Sequence, residues 1–115
     1  MKPPAKVKVG PHTYTVVVDR AAIDRLSAEG GDKRLGECDV QRLTITVDPD
    51  QAPSQLADTL VHELLHACFD LIGAGEDVSA DVEERLVRRL APVVVQVVAD
   101  NPRLVAWLTD RKSVV

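Results

Sequence analysis

Two histidines and a glutamate near the middle of the chain have the types and the spacing of a catalytic zinc site. They belong to the segment His62-Glu63-Leu64-Leu65-His66. Residues four apart on a helix project from the same face, so the two imidazoles can bind one ion. Zinc accepts neutral imidazole nitrogens, and a catalytic zinc site has three protein ligands and one open position. Glu63 is placed to take a proton from water at that position, so the segment predicts metal-assisted hydrolysis.

Helical periodicity after this segment predicts Glu83 as the third ligand. Apolar side chains recur there at helical spacing, at Val82, Leu86, Leu90, Val93, Val94 and Val97. At about 100° per residue, Glu83 falls inside this stripe, whereas Glu84 falls on the polar side and pairs with Arg88 four residues later. A carboxylate on a buried face is costly unless a cation compensates it. We therefore expect His62, His66 and Glu83 to bind one Zn²⁺.

Other polar residues near the motif leave alternatives open. Asp70 follows His66 by four residues, so it could bind the metal, accept a hydrogen bond from an imidazole, or simply be a polar residue near the end of the helix. Cys68 points to nearly the opposite face of the helix and is expected to be a core residue. His12 and Tyr14 could polarise a substrate carbonyl, or His12 could be an exposed turn residue while Tyr14 packs beneath the sheet.

Three strands are predicted ahead of the motif. Residues 6–9 and 13–18 form a hairpin around Gly10-Pro11-His12, since alternating apolar side chains flank a typical turn sequence. Residues 42–48 alternate strictly between apolar and polar side chains, which indicates a strand with one solvated face. A short helix is expected at residues 21–26.

Three helices are predicted from the motif onward. The first is expected over residues 55–72, with Ser54 as its cap and Gly73 at its end. The second begins near Ser79 and should be kinked or split at Pro92. The third follows Asn101 as its cap, and we expect its apolar residues to dock it on the domain: Leu104, Trp107 and Leu108.

Length, composition and charge restrict the function. The 115 residues suit one domain, residues 1–115, and they are 45% hydrophobic but only 3% aromatic, so aliphatic side chains must fill the core. A net charge of −4 argues against nucleic acid and membranes and favours a protein or peptide partner. The chain has no signal-peptide pattern, so we expect it in the cytoplasm, with Cys38 and Cys68 as free thiols.

The motif and the residues around it resemble small phage-type metallopeptidase-like proteins. The resemblance rests on residues 56–67, on Val82-Glu83-Glu84-Arg85-Leu86-Val87 and on Asn101-Pro102. It indicates a minimal gluzincin-type zincin, akin to the ImmA/IrrE and SprT-like domains, and covers roughly residues 36–110. It implies an α+β fold: a small antiparallel sheet with an edge strand beside the site, two packed helices that carry the zinc ligands, and a short C-terminal helix. By position it also implies Glu83 as the glutamate ligand, while no residue matches that family's transition-state donor.

These features predict a zinc-dependent peptidase in which Glu63 acts as general base and then as general acid. Strand 42–48 would bind an extended peptide along a free edge. The alternative is a zinc-stabilised module that binds or regulates a protein without catalysis, because zinc alone can supply folding free energy to a small domain. Glu63 separates the two, since only hydrolysis requires it.

Overall fold

A four-stranded sheet and four helices make up the part of the chain that the structure, a computed structural model, describes, residues 2–30 and 34–110. The strands are β1 (Lys6–Val9), β2 (His12–Val18), β3 (Gly36–Asp39) and β4 (Thr44–Val47). The helices are α1 (Arg20–Gly30), α2 (Pro53–Leu71), α3 (Ala80–Asp100) and α4 (Pro102–Thr109), with a single 3₁₀ turn at Ala74–Glu76. The predicted α+β class and the short C-terminal helix are confirmed.

The sheet is mixed rather than antiparallel, which corrects the sequence-based prediction. The strand order is β1-β2-β4-β3, and β2 and β4 run parallel while the two outer pairs are antiparallel. The difference arises because β3, which was not predicted, precedes β4 in the chain and runs antiparallel to it at the edge. The chain therefore enters β4 in the same direction as β2, and these two strands pair in parallel. Strand β4 is consequently paired on both sides, so the free edge expected for residues 42–48 belongs instead to β3.

The core lies between one face of the sheet and α2. Buried side chains of Val9, Tyr14, Ile45 and Val47 pack against Ala67 of the helix. Half-buried residues extend this cluster, namely Cys38, Leu43, Leu56, Leu60, Leu64 and Cys68. Burial of this apolar surface is the main force that fixes α2 on the sheet, and with it the orientation of the histidine motif.

The ends of α2 and α3 are set by different residues. Pro53 occupies the first position of α2, and Ser54 lies inside the helix, where no side chain caps the N-terminus; the predicted Ser54 cap is therefore wrong. Ser79 does cap α3, because its hydroxyl accepts a hydrogen bond from the amide of Val82 at 3.2 Å. Pro92 does not split α3. It lies on the exposed side, where water can bond the carbonyl that loses its helical partner.

The last helix is exposed on the side that was predicted to dock it. Leu104, Trp107 and Leu108 are 43%, 74% and 57% exposed, so the docking prediction is wrong. The end of α3 is itself exposed from residue 96 onward, which leaves little buried surface for α4 to pack against. Asn101 donates its side-chain amide to the carbonyl of Val97, so it satisfies the end of α3 rather than the start of α4. Among the described helices, none has both the length and the apolar character needed to cross a membrane.

Candidate metal centre

The two histidines of the motif lie side by side on α2, at the edge of a cleft. Their ring centroids are 5.0 Å apart, with the ring planes inclined by 64°. Each side chain is about one-fifth exposed. The spacing of four residues on α2 produces this arrangement, and the sheet packed behind α2 turns both rings toward α3 and the cleft.

Glu84 of α3 lies where the two histidines converge. Its Oε1 is 3.0 Å from Nε2 of His62, and its Oε2 is 2.8 Å from Nε2 of His66. One ligand atom from each of these three residues lies within 4.8 Å of the others, which makes them a possible metal-binding group. Two fully buried residues, Val87 and Ala91, hold α3 against its neighbours. Glu84 precedes them by three and seven residues, so it lies on the same face.

Glu83 contacts the opposite side of one histidine ring. Its Oε2 lies 2.6 Å from Nδ1 of His66, and its side chain is 22% exposed. A carboxylate bonded to the ring nitrogen that does not bind metal fixes the tautomer and the orientation of a ligating histidine. The structure thus groups Glu84, rather than Glu83, with the two Nε2 atoms. The predicted ligation by Glu83 stays a prediction, and this geometry favours Glu84.

The apolar stripe used to choose between the two glutamates is not the buried face of α3. Leu86, Leu90, Val93 and Val97 are 42–53% exposed. The buried face runs instead through Val87 and Ala91, roughly a quarter to a third of a turn away from the stripe. The exposed stripe contains more apolar residues than the buried line, and for this reason periodicity alone indicated a different buried face of α3 from the one observed. The sequence feature that could have identified Glu84 is its spacing of three and seven residues from Val87 and Ala91, whose small side chains suit close packing between helices.

The donor set suits zinc. Two imidazole nitrogens and a carboxylate oxygen are ligands that zinc takes in catalytic sites. For ligands at about 2.1 Å in tetrahedral geometry, donor atoms are about 3.4 Å apart. Glu84 already lies at 3.0 Å and 2.8 Å from the two nitrogens. A small outward shift of its carboxylate would therefore let these three residues hold an ion at the cleft that they line.

Glu63 is a buried carboxylate without a partner at the wall of the cleft. It is 8% exposed, and no described residue forms a hydrogen bond or ion pair with it. Its oxygens still reach the cleft, because no fully buried side-chain oxygen in the described residues lacks a partner. Burial raises the pKa of Glu63 to about 7. A carboxylate with such a pKa can both accept and return a proton near neutral pH.

Burial and the carboxylates act in opposite directions on the two imidazoles. Burial lowers the pKa of His62, and the nearby carboxylate of Glu84 only partly compensates. For His66 burial also lowers the pKa, but hydrogen bonding to Glu83 and the charges of Glu63 and Glu84 outweigh it, so the net pKa is raised. When its ring is protonated, His66 donates from both ring nitrogens, from Nδ1 to Glu83 and from Nε2 to Glu84. A metal at Nε2 would displace one proton and leave the Nδ1–H···Glu83 bond in place.

The other candidate residues lie outside the possible metal-binding group. Asp70 lines the same cleft but is not part of the metal-binding group found among the described residues. Tyr14 is 2% exposed in the core, where burial raises its pKa, and His12 is exposed on β2. Neither lines the cleft as the structure describes it. The packing alternative therefore holds for Tyr14, whereas His12 is exposed as expected but is the first residue of β2 rather than a turn residue. Cys68 packs against the core cluster, as expected.

The cleft has a volume of about 1080 Å³, slightly above the range of about 300–1000 Å³ that is typical of small-molecule sites. One wall is β3, an edge strand of the sheet, and the other is formed by the histidine motif and the two glutamates of α3. These features bring together every residue of the predicted site and add Glu84. Comparisons of the chain with protein-family models, with curated proteins and with solved structures return no match.

Proposed function

We propose that this chain is a zinc-dependent peptide hydrolase of the zincin type, with His62, His66 and Glu84 as the zinc ligands. The observation that carries the proposal is the pairing of a possible metal-binding group with the buried, unpartnered carboxylate of Glu63. A purely structural metal site does not require such a carboxylate. Burying the ionised group costs free energy, and buried groups with shifted pKa values are concentrated at functional sites.

The edge of β3 supplies a binding site for an extended peptide. Among the described strands, β3 is paired only with β4, and residues of β3 line the cleft beside Glu63. A substrate added as a further strand would satisfy the free backbone groups of β3. Its backbone would then run along the wall that contains Glu63, which places a scissile peptide bond near the base.

The proton transfers belong to Glu63. When bound, zinc would polarise the scissile carbonyl and make a water molecule more acidic. Glu63 accepts a proton from this water as its oxygen bonds to the carbonyl carbon. The C–N bond then breaks, and Glu63 returns the proton to the departing amine nitrogen, which restores the carboxylate. Glu83 holds His66 in orientation throughout, through the Nδ1 contact.

A diverse peptide library tests the proposal. Zinc-loaded wild type should cleave a subset of peptides, and Glu63→Gln should retain zinc and fold but lose about 10²–10⁴-fold in kcat/KM, because an amide cannot accept the proton. Glu29→Gln is the matched control, since Glu29 lies on α1 outside the cleft. Equal rates for wild type and Glu63→Gln would contradict the proposal.

The second candidate is a zinc-stabilised module without catalysis. One observation favours it: the possible ligands join α2 to α3, so an ion there would clamp the two long helices together. The library assay separates the candidates, because a zinc-loaded wild type that cleaves no peptide supports the module.

A further inference from the structure

Gly36, the first residue of β3, allows the edge strand to approach the catalytic face of α2 unusually closely. A Cβ atom at this position would lie 2.8 Å from Cγ2 of Thr59 and 3.2 Å from both Cγ and Oε2 of Glu63. Carbon atoms in ordinary contact are about 3.5–4.0 Å apart. Glycine in a strand often marks such a close backbone approach, and here the neighbour is the proposed general base.

The wall around Gly36 is rigid on one side only. The hydroxyl of Thr59 donates to Oε1 of Gln51 at 2.7 Å, and the amide of Gln51 donates to the carbonyl of Asp48 at 2.8 Å. Thr59 is thereby tied to the loop that follows β4. Glu63 has no such anchor among the described residues. A side chain added at position 36 would therefore be accommodated mainly by displacement of the Glu63 carboxylate.

The backbone of Gly36 also faces the open edge. The carbonyl of Leu35 accepts from the amide of Asp48, which makes residues 35 and 48 a hydrogen-bonded pair of the antiparallel ladder. Because the bonding direction alternates along a strand, the backbone groups of Gly36 point away from β4. A peptide bound at this edge would contact Gly36 immediately beside Glu63.

We propose that Gly36 is a positioning residue, whose lack of a side chain sets the distance between the substrate-binding edge of β3 and the carboxylate of Glu63. This inference rests on the proposed function. Gly36 is not itself a catalytic residue, since it acts through the position of Glu63.

Gly36→Ala tests the proposal, and Thr59→Ser provides a second variant that separates position from packing. Serine removes Cγ2, the atom closest to the added methyl group, while keeping the hydroxyl that bonds Gln51. Gly75→Ala is the control for a glycine-to-alanine change in the lining of the cleft, because nothing lies within 4 Å of a Cβ at that position.

Gly36→Ala should lower kcat on a cleaved library peptide about 10- to 100-fold, with KM and zinc content little changed. Gly36→Ala should also lower the melting temperature, because its methyl group is too close to Cγ2 of Thr59. The double variant with Thr59→Ser should regain the melting temperature of the wild type but not its kcat, because the contact with Glu63 remains. Recovery of both by Thr59→Ser, or wild-type kcat in Gly36→Ala, would overturn the proposal and leave Gly36 as a packing residue.

Cobalt substitution gives a readout that does not depend on cleavage. The visible absorption of bound Co²⁺ responds to its ligands and to the groups that hydrogen-bond around them. Gly36→Ala and its double variant with Thr59→Ser should change this spectrum in the same sense as Glu63→Gln, whereas Gly75→Ala should not. If wild type cleaves no peptide, the proposed hydrolysis fails, but the spectra still decide whether Gly36 positions Glu63. A spectrum of Gly36→Ala identical to wild type would reject that role.

Discussion

Replacing Glu63 by Gln should stabilise the metal-free protein at neutral pH and change how its stability depends on pH. The carboxylate is 8% exposed and has no hydrogen-bond partner among the described residues. Its pKa rises from the ordinary 4.5 to about 7, with burial as the largest cause. Each unit of pKa is worth about 1.4 kcal/mol, so ionising Glu63 in the folded state costs about 3 kcal/mol.

The direction of the pH dependence follows from the number of protons that Glu63 binds in the folded and in the unfolded state. Between pH 4.5 and about 7 the folded protein keeps the Glu63 proton while the unfolded chain has lost it. The free energy of unfolding therefore falls as the pH rises through this window, and the loss is complete above it. Glutamine is neutral throughout, so Glu63→Gln lacks this loss.

Urea unfolding at several pH values between 4.5 and 8, with a chelator present, measures the effect. His62 and His66 also titrate in this range, with pKa values shifted in opposite directions. The charge of Glu63 is one of the causes that raise the pKa of His66, so Glu63→Gln lowers that pKa and reduces the stability that His66 loses as the pH rises. Both effects favour the variant at high pH, so the informative quantity is the difference between wild type and Glu63→Gln. This difference should grow in favour of the variant by about 3 kcal/mol from low to high pH. A difference that does not change with pH would refute the reasoning.

The remaining predictions concern the ligands. His66→Ala should abolish stoichiometric zinc uptake in equilibrium dialysis and remove any rise in melting temperature on zinc addition, because one of the metal ligands is lost. Full metal content in this variant would rule the site out. Glu84→Ala should weaken zinc binding more than Glu83→Ala does. For Glu83→Ala we expect zinc affinity to fall about 10- to 100-fold, because Glu83 hydrogen-bonds a ligand rather than the ion. The periodicity argument predicts the reverse order, and calorimetric titration of both variants with zinc decides between them. Asp70→Ala should have little effect on zinc affinity, and a severe loss would place the third ligand on α2. Zinc affinity should fall as the pH is lowered, because His66 must lose a proton to bind metal, which titrations at pH 6 and 8 would show.

Much of the fold could be predicted from sequence because local patterns specify single elements. Alternation identified β1, β2 and β4, and Ser79 marked the start of α3 correctly. Strand β3 was missed because three of its four residues, Gly, Glu and Asp, are depleted in strands. Without β3 the order of the sheet, and therefore the parallel pairing of β2 with β4, could not be inferred.

The candidate site was predictable where its geometry lies within one helix. His62, Glu63 and His66 are positioned by α2 alone, so their spacing was sufficient. The choice between Glu83 and Glu84 depends on how α3 rotates against α2, which is a tertiary property. Sequence periodicity reports the largest apolar stripe, and in α3 that stripe is exposed. The same dependence on tertiary packing hid Gly36, whose role appears only when β3 is placed against α2.

Anomalous diffraction from crystals grown with zinc, recorded across the zinc absorption edge, tests the central claim most directly. The proposed centre predicts one zinc peak per chain, bonded at about 2.0–2.2 Å to Nε2 of His62, to Nε2 of His66 and to a carboxylate oxygen of Glu84, with one position open to the cleft. The absence of a peak between α2 and α3, or an ion held by Glu83 or Asp70 in place of Glu84, would contradict it.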